Sequence, residues 1–195
     1  MTEIGGRAKA RLSLEEQATT LGRLAERALR HYEVWRVYTS PDTRPRYIDA
    51  MDDFPSFFGL DEDGHRSLAI LALAAFFDKD ERSVRLSDVF RAVKSRSPAT
   101  VERCENRIQH SDALIKKVLR IRHGAIAHRT NRLSYDAVFS GAGLTADELG
   151  KLVENASFIA TELASALNID RPLLAYYVAS DLNRLLERLS GDLEI

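Results

Sequence analysis

Ten consecutive apolar residues, Leu68 to Phe77, set the first constraint on this chain. The run is too short to cross a bilayer, which takes about twenty apolar residues in a helix. It is apolar all round, so it must be covered on every side. Alanine is frequent in it and valine is missing, which favours a helix over a buried strand. A helix over about residues 65–77, at the middle of a bundle, is the reading that follows. Asp63 is placed to cap its start, and Asp78-Lys-Asp-Glu-Arg reads as its solvated exit.

The other long segments carry helical spacing, and none shows sustained alternation. Ser13 with Glu16 is a capping box. Leu14, Leu21, Ala28 and Trp35 then recur at intervals of seven, which predicts a helix to about Tyr38. Trp35 and Tyr38 can stack on a base, but as members of a helical stripe they read as core. Between Pro41 and Gly64 the pattern breaks, with a short turn from Tyr47 to Met51 and Phe54, Phe57 and Phe58 pinning the connection. Asp61-Glu-Asp63-Gly64 has the composition of a calcium loop without its alternating acids or closing glutamate. Ser87 is read as the cap of a short helix to about Lys94. Ser97-Pro98 opens the longest helical segment, with apolar lines at 101/108/115, 104/111/118 and 114/121. Thr145 with Glu148 is a second capping box, for a helix to about Asn168. Asp170-Arg-Pro172 opens the last helix, and Gly191 ends it. The sum is an all-α fold: a helical bundle of five or six helices with one long central helix. It forms a single domain over 13–195, behind a disordered or frayed N-terminus at 1–12.

Composition excludes several function classes. Cys104 is the only cysteine, so neither a disulfide framework nor a cysteine-based zinc site can form. It lies on an apolar line and reads as a small buried hydrophobe. The first twelve residues are basic without an apolar core, so no signal peptide is expected, and the protein is expected in the cytoplasm without membrane contact. There is no glycine-rich phosphate loop and no nucleophile elbow.

Chemistry gathers at the end of the long helix, in Arg120-Ile-Arg122-His123-Gly-Ala-Ile-Ala-His128-Arg129. From Ala113 to Tyr135 there are six Lys or Arg and no acid, in a chain whose net charge is −1. Two readings stay open: an anion site, or a solvated basic helix end that suits the helix dipole. Arg122 and His128 take over lines that are apolar one heptad earlier, so they either line a cleft or mark where the helix leaves the core. Gly124 either admits a substrate backbone or a second chain, or marks fraying. His123 and His128 are five apart, where four would share a helical face, and have no neighbouring acid. No metal and no cofactor are expected. Arginine plus histidine suits attack of a ribose 2′-hydroxyl on its own phosphodiester. The imidazole takes a proton near neutral pH, the guanidinium holds the charged phosphate, and DNA lacks the attacking group. One motif supplies one imidazole, and the leaving oxygen also needs an acid. A two-fold homodimer would supply the second, with its axis near the C-terminal end of the long helix and Ser111 and Ala125 permitting close approach.

These residues also resemble a family signature. Arg122, five residues, His128 and then Arg129 are similar to the spaced Arg–His motif of HEPN (higher eukaryotes and prokaryotes nucleotide-binding) domains. With His123 as the polar residue after the arginine, the form resembles the abortive-infection type U branch. So do the block from His65 through Phe76-Phe-Asp78-Lys-Asp80 and the Val84-Arg-Leu-Ser-Asp-Val-Phe90 that follows. The resemblance spans roughly residues 14–168. It implies a metal-independent endoribonuclease of phage defence, or the toxin of a toxin–antitoxin pair, working on RNA as a homodimer. It implies Arg122 and His128 as the catalytic pair, His123 as a polar support, and Arg129 and Arg132 as guides for the RNA backbone. It also implies a partner, often a nucleotidyltransferase-like antitoxin. The tyrosine that this partner class modifies corresponds to Thr130 here, which departs from that mode of silencing. The alternative is a non-catalytic HEPN-like module that binds a nucleotide, RNA or a protein.

Overall fold

A computed structural model describes residues 12–126, 134–170 and 177–191. Among these residues the chain is helical, with no strand. In order the helices are α1 (Leu14–Thr39), α2 (Arg44–Asp53), α3 (Pro55–Phe76), α4 (Leu86–Val93), α5 (Pro98–His110) and α6 (Asp112–Ile121). A π-helical turn (Arg122–Ile126) follows, then α7 (Tyr135–Ala142), α8 (Ala146–Ala166) and α9 (Tyr177–Gly191). The all-α bundle is as expected, but it has more than five or six helices. Each addition has a local cause.

Both capping boxes form. The Ser13 side chain accepts from the Glu16 amide while the Glu16 carboxylate accepts from the Ser13 amide. Thr145 and Glu148 do the same at the start of α8. The turn expected at 47–51 is a full helix, α2, opened by Pro45 in its first turn. α3 starts ten residues before the expected 65, at Pro55. Proline in the first turn loses nothing by lacking an N–H, and Phe58, one turn on, is buried and anchors the start. Asp63 and Gly64 therefore lie inside the helix. Asp63 caps nothing and pairs with Arg66 at 2.7 Å. Of the three phenylalanines expected to pin this region only Phe58 is buried; Phe54 and Phe57 are exposed. Ser87 is not a cap either. α4 begins at Leu86 after Arg85, whose side chain reaches forward to Asp88. The expected connection at 134–144 contains α7, which Ser134 caps through the Ala137 amide. Gly143 ends it in the left-handed conformation at φ 56°, a region that glycine enters without a Cβ penalty.

The long helix expected over 98–127 is interrupted at Ser111. Its amide bonds back to the carbonyls of both Arg107 and Ile108, which tightens the last turn of α5. The Ser111 hydroxyl is buried and accepts from Asn155 on α8 at 2.7 Å. Asn155 also accepts from Arg107 at 2.7 Å. A buried hydroxyl needs such a partner, so the smallness of Ser111 serves this junction. Arg103 with Glu162, Arg107 with Asn155, and Lys117 with Glu148 show that α8 runs antiparallel to α5 and α6. α1 and α3 are likewise antiparallel, with His31 opposite His65 and Tyr38 opposite Asp61.

The core lies between α1, α3, α8 and the inner faces of α4 to α6. Leu21, Ile70, Leu73, Phe76, Val118, Ile121, Leu152, Ile159 and Leu163 are sealed in it. Trp35 and Tyr38 are buried too, and so belong to packing and not to a stacking surface. Cys104 is fully buried, and burial pushes its thiol up to about 11, which keeps it a thiol at neutral pH. No described helix is long and apolar enough to cross a membrane. The N-terminal stretch read as disordered lies outside the described residues up to position 11.

Candidate functional site

α6 delivers Arg122. Its inner residues Ile115, Val118 and Ile121 are buried, and at Arg122 the helix widens into the π turn. A π turn closes its hydrogen bonds over five residues where the α-helix uses four, and such turns are frequent at functional sites. Gly124 explains how the wider turn packs. A Cβ there would lie 2.9 Å from Cγ1 of Val138 on α7. The close approach that the glycine allows is thus to α7 of the same chain.

Arg122 donates from an Nη atom to Oδ2 of Asp78 at 3.2 Å. Both side chains are mostly covered, at 29% and 16% exposure. Asp78 sits just past α3, two residues beyond its last helical residue, so the sealed core helix aims it. Its Oδ1 accepts from the Asp80 amide at 3.0 Å, and its Oδ2 is 3.4 Å from the Ser83 hydroxyl. Burial works against its charge, but the Asp80 amide and the Arg122 guanidinium outweigh that and hold the carboxyl below its ordinary value. The stretch expected to be a solvated exit therefore includes a half-buried anchor for the motif arginine. Asp80 is turned outward and chelated by Arg82.

Three of the six cations in the one-sign island meet acids from outside the stretch Ala113–Tyr135. Lys116 pairs with Asp112 at 2.6 Å, Lys117 with Glu148 at 2.7 Å, and Arg122 with Asp78. Lys117 also donates to the Gly143 carbonyl at 2.8 Å, tying α6 to the end of α7. Arg120 and His123 are exposed. His128, Arg129, Thr130 and Arg132 lie outside the described residues.

The AbiU2 family model, of the HEPN superfamily, matches residues 12–190. The chain belongs to that family. Neither a curated protein nor a solved structure matches it.

In this AbiU2 protein a cleft of about 680 Å³ opens beside the anchor. Asp78 and Lys79 form one edge, Arg85, Phe90 and Lys94 come from the α4 side, and Ile108, Gln109 and Asp112 come from the α5–α6 junction. Its floor is apolar, and its rim carries four cations (Lys79, Arg85, Arg91, Lys94) and three acids (Asp78, Glu105, Asp112). Sequence reasoning placed none of these residues at the site. The one available signal was the Phe-Phe-Asp-Lys-Asp block, in which the acid that meets Arg122 stands 44 positions before it. Among the described residues no group of three or more His, Cys, Asp or Glu is placed to hold a metal ion.

Proposed function

We propose that this AbiU2 protein is a metal-independent endoribonuclease, acting in phage defence or as the toxin of a toxin–antitoxin pair. The observation that carries the reading is Arg122, held at a π turn by Asp78, which itself lines one edge of a cleft large enough for nucleotides. A guanidinium has five N–H donors in a fixed fork. Asp78 uses one Nη atom, and the others suit a phosphodiester. In this scheme His128 takes the proton from a ribose 2′-hydroxyl as the 2′-oxygen bonds to phosphorus. The bond to the 5′-oxygen breaks, and that oxygen takes a proton from a second imidazole. The products are a 2′,3′-cyclic phosphate and a 5′-hydroxyl. His123 supports the turn, and Arg129 and Arg132 guide the RNA backbone.

The second imidazole is that of a second copy, so the working form in this reading is a homodimer. Most of the apolar lines of α5 and α6 is used within the chain, where Val101, Cys104, Ser111, Ile115, Val118 and Ile121 are buried and Ile108 and Leu114 are half-buried. α3 offers another face. Phe57, Leu60 and Leu68 are exposed, Leu71 and Ala75 are half-buried, and the line ends at Asp78 beside Arg122. A two-fold interface there should bury more than ~1,000 Å² in total. A nucleotidyltransferase-like antitoxin is the partner that the family likeness suggests, with Thr130 standing against silencing by tyrosine modification.

The test is purified protein on mixed RNA in the presence of a chelator. Cleavage leaving cyclic phosphate ends is expected, and His128→Ala should slow it by about 10²-fold or more. Inactive wild type, or a His128→Ala variant as fast as wild type, would sink the proposal. The second reading, a non-catalytic module that binds RNA or a protein, is favoured by one observation: Asp78 already engages Arg122 as a structural tie. On that reading Arg122→Lys changes stability while chelator-resistant cleavage is absent from every variant.

A further inference from the structure

A second cluster of polar chemistry lies on the other half of α3. Nδ1 of His31 on α1 is 3.0 Å from Nδ1 of His65 on α3, with the rings edge to face and their centroids 4.9 Å apart. Two imidazole nitrogens at that distance hold one proton between them. The charge of Asp61 selects the ring that donates it. Nε2 of His65 is 3.6 Å from Oδ1 of Asp61, beyond hydrogen-bond length, and the carboxylate's field favours a proton on that side. The other Asp61 oxygen accepts from the Tyr38 hydroxyl at 2.7 Å. His65 Nδ1 is then the acceptor and His31 Nδ1 the donor. The only lone pair left for an added proton is Nε2 of His31.

The two histidines line a pocket of about 290 Å³ together with Arg23, Glu26, Arg27, Arg30, Val34 and Val178. Glu26 is committed to Arg30 at 2.5 Å. Arg23 and Arg27 form no ion pair among the described residues. The Arg30 Nε–H is buried without a hydrogen-bond partner there, and so is Oε1 of Glu26 apart from its ion pair with Arg30, although buried polar groups are nearly always satisfied. From α1 the charges facing His31 are Arg23, Glu26, Arg27 and Arg30. From α3 they are His65 and Asp61, and among the described residues α9 contributes Val178 to the lining.

We propose that this pocket binds a phosphate-class oxyanion, taken up together with one solvent proton on Nε2 of His31. The added proton makes His31 a second N–H donor towards the anion and leaves its bond to His65 intact. Burial first, and then His65 and Arg27, disfavours the charged form of His31 in the empty pocket. An anion beside it reverses the Arg27 contribution. At about 30 Å³ per water, 290 Å³ is the room of roughly ten waters. That exceeds a bare phosphate and fits one borne on a sugar. The pocket is separate from the Arg122–Asp78 pair, since His65 and Asp78 lie about 20 Å apart at 1.5 Å per residue.

The experiment uses the full chain, labelled with ¹⁵N, and follows the histidine ring nitrogens by NMR as sulfate is added at constant ionic strength. Sulfate keeps its charge between pH 6 and pH 8, so any pH dependence belongs to the protein. The His31 and His65 signals should shift saturably, with Kd at least about fivefold lower at pH 6 than at pH 8. Arg23 and Arg27 are exposed, so R23Q/R27Q keeps the fold, and it should weaken binding about tenfold. H31Q should remove the pH dependence. The proposal is overturned by an absence of saturable shift, by equal affinity at the two pH values, or by unchanged affinity in R23Q/R27Q. Ribose 5-phosphate and a short 2′-O-methyl RNA, which 2′-hydroxyl attack cannot cut, are then competed against sulfate. Displacement by the RNA assigns the site to a nucleic-acid backbone, and displacement by the monoester alone to a small phosphorylated molecule. Displacement by neither overturns the phosphate class.

Discussion

The two halves of α3 are both rich in apolar side chains and meet different fates. In the C-terminal half Leu73, Ala74 and Phe76 are fully sealed by α1, α8 and the α6 end. In the N-terminal half Phe57 and Leu60 are 62% and 76% exposed. The difference lies in what packs alongside and not in residue type. The C-terminal half is enclosed by helices except along Leu68, Leu71 and Ala75, and is followed by a fixed carboxylate. Among the described residues the N-terminal half is covered by α1 and the small cluster around Tyr38, Met51, Phe58 and Leu186. One helix thus links a rigid seat for Arg122 to an open surface carrying the His31–His65 pair.

The comparison is tested most severely at its sealed end. Leu73→Ala leaves a cavity with no route for collapse and should cost about 2–5 kcal/mol in urea unfolding. A loss below 1 kcal/mol would show that the half is not sealed. Gly124→Ala comes next. Its Cβ would press on the stiff Val138 side chain, an overpacking cost of about 1–3 kcal/mol. If the π turn is the seat of the chemistry, RNA cleavage should fall with it, even at temperatures where the variant is fully folded.

Asp78→Asn should cost about 1 kcal/mol, since the pair is only partly covered. The folded carboxyl sits below its ordinary 3.8. Its contribution is therefore present above that value and lost as the pH falls through the lowered one. The variant should show a flatter loss of stability below about pH 4, and an equal slope for both proteins would dissociate the tie from stability. Smallest of all is Leu60→Ser, expected within about 0.5 kcal/mol of wild type in melting. Light scattering should nevertheless read a weaker dimer if α3 is the two-fold face. An unchanged dimer would place that face elsewhere.

Where a feature depends on residues a turn apart, it was legible. Ser13 with Glu16, Thr145 with Glu148 and the apolar run at 68–77 each state their own structure within a few positions. Pro55 misled because the glycines at 59 and 64 look like punctuation, while the buried Phe58 carries the helix through. The partners of the cations were illegible for a different reason. Asp78 and Arg122 are 44 positions apart, Lys117 and Glu148 are 31 apart, and His31 and His65 are 34 apart. No local pattern encodes which ends of antiparallel helices meet. The heptad lines assume one continuous helix, and the chain breaks it at Ser111 and changes its pitch after Ile121.

That change of pitch bears on how the chain tolerates insertions and deletions. A π turn accommodates one residue more than the α-helical turn it replaces, so Arg122–Ile126 holds a residue of slack within an otherwise tight packing. Removing one residue from it lets the α-helix close and keeps the flanking residues in phase. The same deletion inside α6 has no such slack and would turn the residues after it by about 100°.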